Sequence, residues 1–166
     1  MSLEHRVDSD RQLGRLLQIG VVLEEVVEAR AYHHYHALSS AEREVIDPAI
    51  VELLEEAAEE SAEHRERLEG LIDELDAESI PYETIEALVQ DHWGGPATAD
   101  FDDILYDQLH GEESAYKFYD DLIASIEASD ATFGVERDRL LSTLRRIRAD
   151  EEEGVREVTE IMEHRG

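Results

Sequence analysis

Glu28, His64, Glu112 and Glu151 are four groups able to ligate a metal or share a proton, and each stands on a helix face that is otherwise apolar. Glu28 belongs to the run Leu17, Val21, Glu24, Glu28, Ala31, Tyr35 and Leu38, whose steps of three and four define one helical face. A carboxylate on a buried face is costly unless it is paired, protonated or bound to a metal. The same arrangement recurs around Ser61 and His64, around Gln108 and Glu112, and around Glu151 and Gly154, with leucine, isoleucine or valine on either side. Each stripe is apolar at its ends and polar near its middle. Three carboxylates and one imidazole in a single buried layer suit Fe(II), Mn(II) or Zn(II). Without a metal they must share protons, because like charges so close cannot all stay ionised.

Helices long enough to carry these stripes are legible from their ends. Ser9 followed by Gln12 is a capping-box signature, which opens a first helix over about residues 10–38. Asp47–Pro48 supplies a cap and a proline at the first helical position for a second helix, about 47–76. A short helix is expected over 81–91, stopped by WGGP at 93–96, where with Trp93 it covers a bundle end or supports a dimer. Thr98 or Asp100 caps a third helix, about 100–128, and Asp130 or Thr132 opens a fourth, about 133–163. No β-like alternation competes. Two helical hairpins joined by the connection 77–99 imply an all-α four-helix bundle with one long crossover, a single domain over 1–166. At 1.5 Å rise per residue the four polar positions fall within a turn or two of a common height.

Composition narrows the function. The 166 residues carry a formal charge of −28 yet are 42% hydrophobic, which fits a folded core rather than an acidic tail. Such a charge argues against nucleic acid, since binding needs a basic surface to release phosphate counterions. Lys117 is the single lysine among 15 basic residues, and scarce lysine with extreme acidity resembles proteins of salt-loving organisms. The absence of cysteine excludes disulfides, thiolate zinc sites and iron–sulfur clusters. No apolar run is long enough for a membrane span and MSLEHRVDSD lacks a signal-peptide core, so a cytoplasmic protein is expected.

EARAYHHYHAL at 28–38 has a counterpart in EESAYKFYDDL at 112–122; both carry Glu, then Ala at +3, Tyr at +4 and +7, and Leu at +10. On these residues the chain resembles the ferritin-like superfamily, rubrerythrin-type proteins most closely. The resemblance implies metal-binding glutamates at Glu28 and Glu112, with Tyr35 and Tyr119 as hydrogen-bond donors beside them. In EESAEHRERL it places His64 at the family's histidine, with Ser61 where a glutamate is usual. In ADEEEGVREV it places Glu151 at the family's glutamate, with Gly154 where a histidine is usual. It therefore implies at most one tightly held metal per chain, on Glu28, His64 and Glu151, with Glu24 or Glu60 as substitute ligands one turn away. Iron is the metal implied first, with manganese or zinc as alternatives, and oxidation of Fe(II) or handling of oxygen or peroxide is the implied chemistry. A homodimer or higher homo-oligomer is expected. The competing expectation is a non-enzymatic bundle that kept the fold and serves in interaction or assembly. HHYH at 33–36 reads as a solvated cluster, since His33 and His34 point to different faces.

Overall fold

The structure is a computed structural model that describes residues 7–36, 41, 48–75 and 101–165. Four helices make up the described residues: α1 Asp10–His36, α2 Pro48–Asp73, α3 Phe101–Glu127 and α4 Arg137–Arg165. No strand occurs among the described residues. The expected helix at 81–91 and the connection 77–99 lie outside the described residues. The backbone at Tyr35 is helical, but its side chain lies outside the described residues.

The helix ends follow the local chemistry. Gln12 N–H donates to Ser9 Oγ at 3.2 Å, and Gln12 Oε1 accepts from Asp8 N–H at 2.7 Å, so two orphan donors at the start of α1 are satisfied. Pro48 takes the first position of α2, as its missing N–H allows. The last turn of α2 tightens, with Glu74 N–H donating to Leu71 and Leu75 N–H to Ile72. α4 begins at Arg137, later than the expected 133, because residues 130–136 form a packed turn instead. Val135 is buried in that turn and Gly134 N–H donates to the Asp10 carboxylate at 3.0 Å. The Arg137 guanidinium then donates to the carbonyls of Ile126 and Ser129, at 2.5 and 2.6 Å, and satisfies the open end of α3.

α1 packs on α2 and on α3, and α4 packs on α3 and on α2. One pole of the bundle gathers the start of α1, the ends of α2 and α3 and the start of α4. Ser129 Oγ donates to Val7 O at 2.6 Å there, and Arg139 pairs with Glu74. Two of the three arginines in RRIR, at 145–148, pair within the bundle: Arg145 with Glu127 at 3.3 Å and Arg148 with Asp120 at 2.8 Å.

Apolar residues form two main clusters along the axis. The larger, including Leu17, Leu68, Leu122 and Leu144, fills the pole just described. The smaller, Ile50, Leu53, Leu54, Ala58 and Val158, fills the other. Between them lies a polar layer of Glu24, Ser61, His64, Gln108, Glu112 and Glu151, every one buried. The stripes that are apolar at both ends and polar in the middle thus stack in register.

Candidate metal centre

His64 is the hub of this layer. Its side chain is 1% exposed and projects from the middle of α2 between α1 and α4. Nδ1 lies 3.2 Å from Glu24 Oε1 on α1 and 3.2 Å from Glu151 Oε1 on α4. Nε2 lies 2.9 Å from Asp150 Oδ2, with Glu60 Oε1 at 3.8 Å. The two ring nitrogens therefore face different surroundings. Nδ1 meets buried carboxylates, whereas Nε2 faces Asp150 and Glu60, whose side chains are 40% and 38% exposed. When Nε2–H donates to Asp150, the Nδ1 lone pair is left for the Glu24–Glu151 side, which is how a carboxylate orients an imidazole toward a metal.

Tyr119 is fully buried on α3 and its hydroxyl donates to Glu24 Oε1 at 2.6 Å. Glu24 Oε2 is buried with no hydrogen-bond partner, the one such side-chain atom among the described residues. A buried carboxylate oxygen at 0% exposure without a partner is a place for a cation or a shared proton, because desolvating it uncompensated costs free energy. Ligand atoms of Glu24, His64 and Glu151 all lie within 4.8 Å of one another, so the three can hold a metal ion. Glu60, His64 and Asp150 form a second such group, sharing the same imidazole.

Glu112 stands on the other side of Glu151. Its carboxyl hydrogen-bonds Glu151 and accepts from Gln108 Nε2 at 2.9 Å. A Cβ at Gly154 would stand 2.6 Å from Glu112 Oε2 and 2.7 Å from Cδ. The Glu112 carboxyl thus occupies the space a side chain at 154 would need, and the expected histidine position is filled from the neighbouring helix. Replacing Gly154 by Ala should destabilise the protein by about 1–2 kcal/mol. Helix propensity favours Ala by about 1 kcal/mol, but displacing Glu112 breaks buried hydrogen bonds that cost roughly 1–3 kcal/mol each when left unmade. A denaturant melt at pH 6 measures the difference, and a stabilised variant would mean that Glu112 swings away freely.

The electrostatics of the layer follow from burial and crowding. Burial alone would lower the His64 pKa, but the hydrogen bond and charge of Glu24, with Asp150 and Glu60, outweigh it and raise it to about 9. Burial pushes Glu60 up to about 8, against the pull of His64 and with help from Glu112, Asp150 and Glu24. Glu151 is held well above the usual carboxylate range by burial, then by Glu24 and Glu112. Glu112 is raised by burial and by the Glu24 charge, while its hydrogen bonds from Glu151 and Gln108 oppose the shift. Burial and the Glu24 charge also keep the Tyr119 hydroxyl protonated as a donor. Without metal, at neutral pH, the layer is an imidazolium flanked by carboxyl groups that share protons.

Of the expected ligands, His64, Glu112 and Glu151 lie in the layer, and Ser61 is buried beside them. Glu28 does not reach His64: its carboxylate is 21% exposed and accepts from Arg65 Nη1 at 2.7 Å. Glu24, one turn earlier, holds the buried place, and Glu60 flanks His64 at the solvent side. Asp150 was not anticipated, although its place directly before Glu151 puts it at the flank of the same face. Gln108 was read as part of the stripe without its role toward Glu112. No family model, curated protein or solved structure matches the chain.

Proposed function

We propose that this chain is a ferritin-like metal protein that holds one divalent ion on Glu24, His64 and Glu151. The orphaned Glu24 Oε2, buried beside an imidazole and a second carboxylate, carries this reading. In the proposed fold the connection between α2 and α3 runs the length of the bundle, and iron is proposed first on the resemblance to ferritin-like proteins, since the donors themselves suit Fe(II), Mn(II) or Zn(II). Bound iron would supply electrons to dioxygen or peroxide, with carboxylates favouring its oxidised state. Asp150 holds the imidazole by Nε2 so that Nδ1 turns inward. Tyr119 fixes one Glu24 oxygen and leaves the other for the ion. Glu112, Glu151 and Gln108 fill the second half of the layer, so a single ion is proposed in place of a pair. The acidic, lysine-poor surface suits a salt-rich cytoplasm.

Glutamine substitution separates this site from the one read off the repeat. Glu24→Gln should weaken Zn(II) or Mn(II) binding about 100-fold, since a ligand is lost and even its supports are worth 10- to 100-fold. Glu28→Gln should leave affinity within a few-fold of wild type, because Glu28 is engaged by Arg65. Calorimetric titration of untagged protein at pH 8 makes the comparison. Equal losses would return Glu28 to the site, and no binding by wild type would favour the interaction-bundle reading.

A further inference from the structure

His64 presents its two ring nitrogens to two different sets of carboxylates, one on each side of the ring. Nδ1 faces Glu24 on α1 and Glu151 on α4, and all three side chains are buried. Nε2 faces Glu60, one turn earlier on α2, and Asp150 across the seam on α4, both partly exposed. Two atoms bonded to one ion at about 2.1 Å can stand at most about 4.2 Å apart. The distances from Nε2, 2.9 Å to Asp150 Oδ2 and 3.8 Å to Glu60 Oε1, fall inside that limit. So do the 3.2 Å distances from Nδ1 to Glu24 and to Glu151. In each group the carboxylate oxygens also lie within 4.8 Å of each other, a gap that a small side-chain rotation closes. The molecule therefore offers two seats for a divalent cation, back to back on one imidazole. They cannot both use the ring at once, since a neutral imidazole has a lone pair on one nitrogen and a proton on the other.

The seats differ in access. At Glu60 and Asp150 an ion arriving from water keeps part of its hydration shell. On Nδ1 it must shed that shell, because Glu24, His64 and Glu151 are at most 5% exposed. Stripping a cation of water in one step is costly, and exchanging waters for carboxylate oxygens in two stages divides that cost. Among the described residues the opposite face gives no comparable way in. The cleft between α1 and α3 holds about 30 Å³, and Val26, Val27 and Arg30 line it. The inner end of the route from the seam is Glu24 Oε2, fully buried and without a partner. We propose that Glu60, His64 Nε2 and Asp150 form a loading seat, which takes a divalent cation from water and passes it around the ring to Glu24, Nδ1 and Glu151. This inference rests on the metal reading of the inner seat and adds its entrance. While the ion is outside, Nε2 ligates it and Nδ1–H donates to the buried carboxylates. Once the ion is inside, the ring proton has changed nitrogen by exchange with water at the seam, and Nε2–H donates to Asp150.

Nitrogen NMR of histidine-labelled full chain with Zn(II) reads which ring nitrogen holds the ion. A His64→Ala spectrum identifies the His64 signals among the eight histidines. Wild type should carry Zn(II) on Nδ1. Glu24→Gln spoils the inner seat and should leave Zn(II) on Nε2, bound about 100-fold more weakly. Adding Glu60→Gln to that variant should weaken the residual binding by about a further tenfold. In the otherwise wild-type chain, Glu60→Gln should slow Co(II) uptake in stopped-flow absorbance about tenfold, since the charge that draws the ion to the seam is lost. Release to chelator should slow by a similar factor, because an entrance changes rates and not the equilibrium. Circular dichroism establishes that each variant folds. Zn(II) still on Nδ1 in Glu24→Gln, or absent from that variant, would overturn the loading seat and leave the inner site standing. So would a double variant that binds no more weakly, or unchanged rates in Glu60→Gln. Zn(II) on Nε2 in wild type, or no binding by wild type, would instead overturn the inner site and the transfer with it.

Discussion

Stripped of metal, the protein should melt at progressively lower temperature as pH rises from about 5 to 9, and divalent metal should reverse that trend. The folded state binds the His64 proton up to about pH 9, against an ordinary value of 6.5. That contribution is fully present below 6.5 and is lost as pH rises through 9. Glu60 acts in the same sense: folded, it keeps until about pH 8 a proton that it would otherwise release near 4.5. Glu112 and Glu151, both raised, add to the slope. Over this window the native state holds more protons than the unfolded chain, so stability falls with pH. His64 alone is worth roughly 3 kcal/mol across its shift; Glu60, two-fifths exposed, contributes less because solvent screens it. Metal requires a neutral Nδ1 and an ionised Glu151, so it displaces protons and its stabilisation grows with pH. Melts with chelator and with Mn(II), across pH in molar salt, make the measurement. The salt suppresses self-repulsion of the −28 chain, which would tilt the curve in the same direction. A metal-free melt that is flat or rises between pH 6 and 9 would show that the layer does not hold these protons.

His64→Ala should abolish both tight metal binding and the melting increment that metal provides. The substitution also removes the one positive partner that Glu24, Glu151, Asp150 and Glu60 share. With no metal present, the variant should lose about 3–5 kcal/mol at pH 7, the scale for breaking a buried charge pair from one side. Part of this returns as the stranded carboxyls take up protons, Glu60 already below about pH 8, because loss of the imidazolium raises them further. Paired melts of wild type and variant, each with chelator and with metal, give four values. If chelator leaves the wild-type melt unchanged and the His64→Ala penalty is identical in both conditions, the layer is a proton-sharing core and the bundle a scaffold.

Sequence periodicity located the layer but not the pairing within it. The stripes place Glu24 and Glu28 on one face, and nothing in the spacing says which of them is at the height of His64. The repeat favours Glu28, because it aligns with Glu112. The structure resolves this through neighbours on other helices: Tyr119 reaches Glu24, and Arg65 holds Glu28 at the flank. Both are tertiary choices between positions one helical turn apart, about 5.4 Å. Gly154 shows the same limit from the opposite side. Taken alone it marks a missing ligand; in the bundle it is the space into which α3 sends Glu112. The helix starts were legible where a local cap operates, as at Ser9 and Pro48. They were less so at α4, where Gly134 donates to Asp10 and Val135 enters the core, long-range contacts that turn residues 130–136 away from helix.

Each hairpin supplies only part of the cluster: α1 and α2 bring Glu24 and His64, whereas α3 and α4 bring Glu151 and the Asp150 that steadies the imidazole. On the proposed metal reading, neither half would be a complete chelator by itself. The α1–α2 hairpin alone would offer His64 with Glu24 and Glu60, without Glu151 or Asp150. Full ligation would become possible only after the second hairpin has docked. Metal retention would then work as an inspection step on completed chains: cargo is kept by finished molecules, and half-made ones remain empty.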